Sequence, residues 1–299
     1  MSTIGWGRTS VGRKTEDRGQ RTEDRGQRIE DRDDAEPVVT ERVLVALDAS
    51  PQSQAALRAA ARVAAAMQAE LQGLFVEDAN LFHLCNSPFC REVGLRTAVV
   101  RQLESQTVER QLRVLAAEMR RSLARVASEA QVRWSFQVTR GTVEHELLAA
   151  AENSLLLSLG RTGWLAGSRL GSTTRTLVQR TLRPLLILGN RDGLAHPLTV
   201  LYNGSASADR ALALAVRLAQ RNSHALNVLL IGQADAVAAW LSHIETLLQA
   251  EMVQPTFIQI ESAGALASVL HRMKDSSLVL PLDYAEWLAA VDGPVLLVP

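Results

Sequence analysis

A glycine-rich segment has the residue types and spacing best suited to chemistry in this sequence. Gly160, Gly163 and Gly171 are spaced G-x2-G-x7-G, and Ser172 and Thr173 follow directly. Glycines let a backbone approach a phosphate without obstruction by Cβ atoms, and the N–H groups at the start of a helix attract anions. The segment therefore has the features of a phosphate-binding turn, although a glycine-rich turn can also be a tight connection that binds nothing.

Two arginines and one carboxylate extend this interpretation. Arg161 and Arg169 add positive charge to the segment, and Asp48 stands at the end of another apolar run. A carboxylate there can accept hydrogen bonds from a ribose, but Asp-x-Ser-Pro also caps helices without any ligand. The only lysines are Lys14 and Lys274, and neither follows a glycine. This excludes a Walker loop, which ends in Gly-Lys-Ser/Thr.

Other catalytic and metal-binding patterns are weak. Cys85 and Cys90 form a single C-x4-C pair with His83 nearby, whereas structural zinc sites need four ligands. The serines lack the Gly-x-Ser-x-Gly pattern of hydrolases. We therefore predict no catalytic residue and no resident metal.

Composition narrows the range of partners and compartments. The 299 residues include 32 basic and 32 acidic ones, so the formal net charge is zero. This balance argues against nucleic acid or a membrane surface as partner. The sequence contains no run of 18 apolar residues and no apolar signal segment near residue 1. We expect a cytoplasmic protein with reduced thiols.

Residues 1–39 differ from the rest of the chain. TEDRGQR occurs at 15–21 and again at 22–28, and IEDRDD follows at 29–34. Such a charged segment cannot bury enough apolar surface to offset chain entropy, so we predict disorder. A charged interaction arm and a translated repeat upstream of the true start are the alternatives.

The remaining chain alternates apolar runs with amphipathic stretches. The run at 43–47, the helical pattern at 51–70 and the run at 71–78 predict a β-α-β unit, and hence a parallel sheet covered by helices. A loop over 79–96 and a long helix over about 97–130 are predicted next. Further strands are predicted at 132–141, 154–160 and 184–189.

The second half repeats this pattern in a shorter form. The segment at 198–205 matches the first strand and its turn, with Asn203 in place of Asp48. Residues 283–293 replace the glycine-rich segment, and the two halves end alike, in PLLIL and PVLLV. We therefore predict two α/β domains, at 40–192 and 196–299.

The first half resembles a universal stress protein domain. VALDASPQSQAAL, LFVED, the glycine-rich segment and RPLLIL carry the resemblance over most of 40–190, and it is weaker over 197–299. It implies two tandem, open, five-stranded parallel sheets of the Rossmann-like, adenine nucleotide alpha hydrolase-like type. It also implies a role in the stress response.

The resemblance further implies an ATP site in the N-terminal domain alone, with no metal beyond the magnesium that accompanies ATP. The family's phosphate loop is G-x2-G-x9-G-Ser/Thr, so the loop here is two residues shorter. Asp48 matches the aspartate near the ribose, and the backbone of Val76 matches the contact to adenine. The phosphates are assigned to Gly160, Gly163, Gly171, Ser172 and the N–H of Thr173.

The second domain is predicted to be structural. Asp283 and Glu286 would repel a triphosphate, so we expect no ATP there. Family members pair through their last strands, which predicts an intrachain pseudo-dimer joined through 184–188 and 294–298. Alternatively, these are ordinary edge strands, and the chain forms a homodimer through another face.

Together these features predict a stress-response module that binds an adenine nucleotide. No histidine or carboxylate is placed beside the expected γ-phosphate, so we predict no enzyme activity beyond slow ATP hydrolysis. The alternative is a structural or protein-interaction module of the same fold that binds no nucleotide.

Overall fold

The described part of the chain covers most of both halves. The computed structural model describes residues 41–85, 91–93, 100–102, 104–162, 170–189, 194, 197–222, 225–249, 251, 253–261, 263–273, 276–291 and 293–299. The predictions made for residues 1–39, Cys90, Gly163 and Arg169, and the domain limits at 192 and 196, fall outside these ranges.

The first half alternates strands and helices as the apolar runs predict. Its elements are β1 (Arg42–Ala46), α1 (Pro51–Met67), β2 (Glu70–Asp78), α2 (Ala79–Cys85), β3 (Arg91–Val93), β4 (Val100–Gln102), α3 (Ser105–Glu129), β5 (Trp134–Gly141), α4 (Val143–Ala151), β6 (Leu156–Gly160), α5 (Ser172–Arg180) and β7 (Leu185–Leu188).

The second half follows the same order with fewer elements. It contains β8 (Leu198–Tyr202), α6 (Ala206–Asn222), β9 (Leu226–Ile231), α7 (Ala234–Leu248), β10 (Thr256–Ile260), α8 (Ala263–Arg272), β11 (Ser277–Pro281), a 3₁₀ helix (Leu282–Ala290) and β12 (Val295–Val298).

Ten strands form one sheet in the order β10-β9-β8-β11-β12-β7-β6-β1-β2-β5. Each half contributes five parallel strands, which confirms the predicted fold class. In the first half the strand order reverses beside β1, whose neighbours are β2 and β6. This is a topological switch point, where open α/β sheets bind their ligands.

The halves meet through β7 and β12. These strands pair antiparallel, with Leu186 opposite Leu296, and both strands are buried throughout. The predicted pairing of the two final strands is therefore confirmed, and their interpretation as edge strands is wrong. The sheet edges are β5 and β10 instead.

Two apolar layers cover the sheet. Val43 and Val45 of β1 face the layer that contains α1, α3 and α6, while Leu44 faces the layer that contains α4, α5 and α8. Because the central strands are buried on both faces, they form continuous apolar runs rather than an alternating pattern.

The predicted loop at 79–96 is wrong, as is the helix start near 97. Asp78 accepts hydrogen bonds from the backbone N and the side chain of Asn80 and so supports the first turn of α2. Val93 pairs with Val100 in the small antiparallel β3-β4 ladder. Since β-branched residues favour strands, α3 begins only at Ser105.

No helix among the described residues is long and apolar enough to span a membrane.

The strand junction makes a stability prediction. Leu186 is fully buried at the β7-β12 contact, so Leu186→Ala should lower the free energy of unfolding by about 2–5 kcal/mol. Leu182→Ala is the control, because this leucine is 88% exposed and its loss should cost less than about 0.5 kcal/mol. Urea denaturation measures both; equal values would contradict a closely packed junction.

Candidate functional site

A cavity of about 530 Å³ lies at the switch point, beyond the carboxyl ends of β1, β2 and β6. Its apolar wall includes Leu74, Leu147 and Leu159, which belong to the α4-α5 side of the sheet. The cavity brings together six of the seven predicted site residues: Asp48, Val76, Gly160, Gly171, Ser172 and Thr173. Gly163 lies outside the described residues.

The turn after β1 fixes Asp48. Asp48 Oδ1 accepts hydrogen bonds from Ser50 N at 2.9 Å and from Ser50 Oγ at 2.5 Å. Ser53 N donates to Ser50 Oγ at 3.2 Å, so Ser50 rather than Asp48 is the N-cap of α1. Among the described residues, Asp48 Oδ2 has no partner. Asp48 therefore organises the turn and keeps one carboxylate oxygen for the cavity.

The start of α5 offers backbone N–H groups to the same cavity. Gly171 is its N-cap, with φ −65° and ψ 158°, and it has no side chain to cap the first turn. Gly171 N donates to Arg161 O at 2.9 Å, and Thr174 Oγ1 donates to Gly160 O at 3.1 Å. The first N–H groups of a helix have no partner within it, so those of 172–174 can bind an anion.

The charge around this helix start differs from the prediction. The Arg161 guanidinium donates to carbonyl oxygens of the second half instead of facing a ligand. Thr173 Oγ1 donates to Glu144 Oε1 at 3.0 Å, which places a carboxylate beside the proposed phosphate position. Arg175 is the basic residue among the described residues that line the cavity.

Glu144 belongs to this site although the local sequence around it does not predict this. Glu144 lies in the first turn of α4, where an acidic side chain is favoured by the helix dipole alone. The available signal was topological, because α4 begins directly after β5 and so at the same edge of the sheet. Its approach to Thr173 depends on how α4 and α5 pack together.

Gly160 has a packing role that the sequence analysis did not predict. A Cβ atom at this position would lie 2.7 Å from the Cβ of Gln52 in the first turn of α1. The absence of a side chain therefore lets β6 and α1 approach each other, whether or not a ligand binds.

This contact makes Gly160→Ala a test of packing. We expect it to lower the free energy of unfolding by about 1–3 kcal/mol. The new Cβ would meet the Cβ of Gln52, which is fixed to the backbone in the first turn of α1 and cannot rotate away. Gly264→Ala is the matched control, since its Cβ would meet no atom within 4 Å. Thermal denaturation compares the two; a neutral Gly160→Ala would leave phosphate approach as the reason for this glycine.

The second half contains its own carboxylate where the first half has the glycine-rich segment. Asp283, at the start of the 3₁₀ helix, accepts hydrogen bonds from Ser205 Oγ and Ser207 Oγ, both at 2.8 Å. Asn203 Oδ1 accepts a hydrogen bond from Ser205 N at 3.1 Å. The two serine hydroxyls, with Asn203, lower the pKa of Asp283 from its ordinary value of 3.8.

This lowered pKa makes a pH-dependence prediction. A carboxyl group with a lowered folded pKa stabilises the fold above its ordinary pKa, and this contribution is lost as the pH falls through the folded pKa. Asp283→Asn should therefore be less stable than the unmodified protein at neutral pH, and the difference should shrink below pH 3.8 and disappear as the pH falls through the folded pKa. Urea denaturation across this range measures it. Glu286→Gln, at a carboxylate that receives no hydrogen bond from the described residues, is the control variant.

Metal-binding residues do not cluster in the described part of the chain. Within it, no group of three or more His, Cys, Asp or Glu side chains could hold a metal ion. Cys85 carries a free thiol.

Known structures share this architecture. No protein-family model and no curated protein matches the sequence. A universal stress protein from Archaeoglobus fulgidus DSM 4304 superposes with a TM-score of 0.63 at 16% identity, over 86% of this chain and 97% of that one. A functionally unknown protein from Pseudomonas aeruginosa PAO1 gives a TM-score of 0.55 at 12% identity, over 86% and 92%. Both superpositions extend into both halves, and the chain therefore has the fold of a universal stress protein.

Proposed function

We propose that the first half binds an adenine nucleotide such as ATP, and that the protein is a cytoplasmic stress-response module that responds to this ligand. One observation carries the proposal. A single cavity at the switch point combines an apolar wall, the Asp48 carboxylate and a helix start without a side-chain cap. These are the three environments that a base, a ribose and a phosphate require.

Each part of the ligand has a candidate partner. The wall that contains Leu74 and Val76 suits an adenine ring, and the backbone of Val76 lies near the carboxyl end of β2 beside it. Asp48 Oδ2 can accept a hydrogen bond from a ribose hydroxyl. The N–H groups of Ser172 and Thr173 can donate to a phosphate. We assign no catalytic base, so any hydrolysis of ATP should be slow.

The second half is proposed to bind no nucleotide. Its serine hydroxyls at 205 and 207 already bind the Asp283 carboxylate. A phosphate at this position would face that carboxylate at short range.

A module that binds no nucleotide is the second candidate, and two contacts favour it. Glu144 adds negative charge beside Thr173, and Arg161 directs its positive charge into the second half. Magnesium accompanying ATP would offset part of the repulsion from Glu144. The two candidates therefore differ in a measurable affinity.

Calorimetric titration of the full chain with ATP and with adenosine, in the presence of magnesium, separates them. We expect saturable binding of one ligand per chain, because the second half is blocked by its own carboxylate. The absence of binding of either compound at millimolar concentration would favour the module without a nucleotide. Two ATP molecules per chain would contradict the assignment of the second half.

Gly171→Asp tests the anion position without disturbing the fold. The N-cap geometry suits aspartate, so stability should stay equal or rise by a few tenths of a kcal/mol, about the usual difference between these caps. The new carboxylate would occupy the N–H groups and repel phosphate, so ATP affinity should fall while adenosine affinity persists. Gln233→Asp is the matched control, because Gln233 caps α7 with similar geometry. An unchanged ATP affinity in Gly171→Asp would place the phosphates elsewhere.

A further inference from the structure

Arg161 connects the glycine-rich segment to the other half of the molecule. Its Nη1 donates to Leu288 O at 2.7 Å, and its Nη2 donates to Gly293 O at 3.3 Å. Leu288 lies near the end of the 3₁₀ helix, and Gly293 lies two residues before the start of β12. The guanidinium is therefore held by the last part of this helix and by the chain that enters the junction strand.

The backbone of Arg161 meets two further elements. Arg161 N donates to Leu188 O in β7 at 2.6 Å, and Arg161 O accepts from Gly171 N at 2.9 Å. Gly171 is the N-cap of α5, whose first N–H groups line the cavity. A single residue thus joins the carboxyl end of β7, the start of α5 and the second half.

The antiparallel junction explains how the second half reaches this point. Because β12 runs opposite to β7, its amino end lies beside the carboxyl end of β7, next to the candidate site. The 3₁₀ helix starts at Leu282, directly after the carboxyl end of β11, and has a kink at Tyr284. Because β11 and β12 are parallel, the chain that contains this helix runs from the carboxyl end of β11 to the amino end of β12, beside the candidate site.

We propose that Arg161 is a positioning residue through which the second half holds the candidate anion site in shape. The inference rests on the proposed function, and Arg161 itself does not contact the ligand. Carbonyl oxygens near the end of a helix carry partial negative charge and favour a guanidinium. The 3₁₀ helix occupies the position in the second half that the glycine-rich segment occupies in the first. This helix anchors the Arg161 guanidinium. Its first turn is held by the bonds of Ser205 and Ser207 to Asp283.

Arg161→Met in the full chain tests this role, with Arg183→Met as the matched control. Arg183 also donates to a carbonyl oxygen, that of Glu152 at 2.5 Å, but this bond lies within the first half. We expect ATP affinity in Arg161→Met to fall about tenfold, because bonds from a charged donor are lost. Adenosine affinity should stay within about twofold, since the phosphate position alone is disturbed. Arg183→Met should change neither.

Amide hydrogen exchange gives a readout that is independent of ligand binding. In Arg161→Met the amides of Ser172, Thr173 and Thr174 should exchange faster than in Arg183→Met, because the helix start has lost its anchor. The coupling between the anion site and the 3₁₀ helix is reciprocal. ATP should therefore slow amide exchange in the 3₁₀ helix of the unmodified protein, and it should not slow this exchange in Arg161→Met. If Arg161→Met does not fold, Arg161→Lys takes the place of that variant in both measurements, because lysine retains the positive charge.

The possible results separate the two proposals. A folded variant whose ATP-to-adenosine affinity ratio and amide exchange match those of the control would overturn the role of Arg161. Equal loss of both affinities would also overturn it, because that result indicates a general structural defect. If the unmodified protein binds neither compound, the proposed function fails. The exchange rates of 172–174 then decide the positioning role alone.

Discussion

The antiparallel pairing of β7 with β12 is the contact on which the rest of the molecule depends. Each half has a buried final strand that would expose unpaired N–H and C=O groups if it stood alone. Their pairing satisfies these groups and leaves β5 and β10 as the edges. It also points the two parallel sheets in opposite directions. The edge of the first half that contains the candidate site therefore adjoins the amino ends of the second half's strands.

The periodicity of the sequence predicts most of this fold. Apolar runs such as 43–47 and 185–188 are long enough to be strands and too short for helices, and amphipathic stretches separate them. The elements α2, β3 and β4 were missed because they are short and lack an apolar periodicity of their own. The hydrogen-bond partners of long polar side chains could not be predicted from the sequence either. Arg161 and Glu144 have partners more than 25 residues away along the chain, and packing alone selects them.

The shortening of the second half falls mainly in two places. Between its second and third strands it has only the 15-residue α7, where the first half has α2, β3, β4 and the 25-residue α3. After its fourth strand, the 3₁₀ helix replaces the glycine-rich segment and α5. The first change removes cover from the sheet, whereas the second replaces a candidate ligand site with a fixed element.

A single hydrogen-bonding position shows how the halves diverge. Ser50 and Ser205 each follow a first strand, and each caps the next helix through a backbone N–H at 3.2 Å. Each hydroxyl also binds one carboxylate: Ser50 binds Asp48 of its own turn, and Ser205 binds Asp283 of the opposite turn. In the second half the neutral Asn203 accepts from Ser205 N, and the Ser205 hydroxyl donates to Asp283 at the start of the 3₁₀ helix. In the first half the carboxylate belongs to the serine's own turn, and the cavity beyond the strand ends stays open. The exchange of Asp48 for Asn203 therefore accompanies the difference between the open cavity of the first half and the bonded turn of the second.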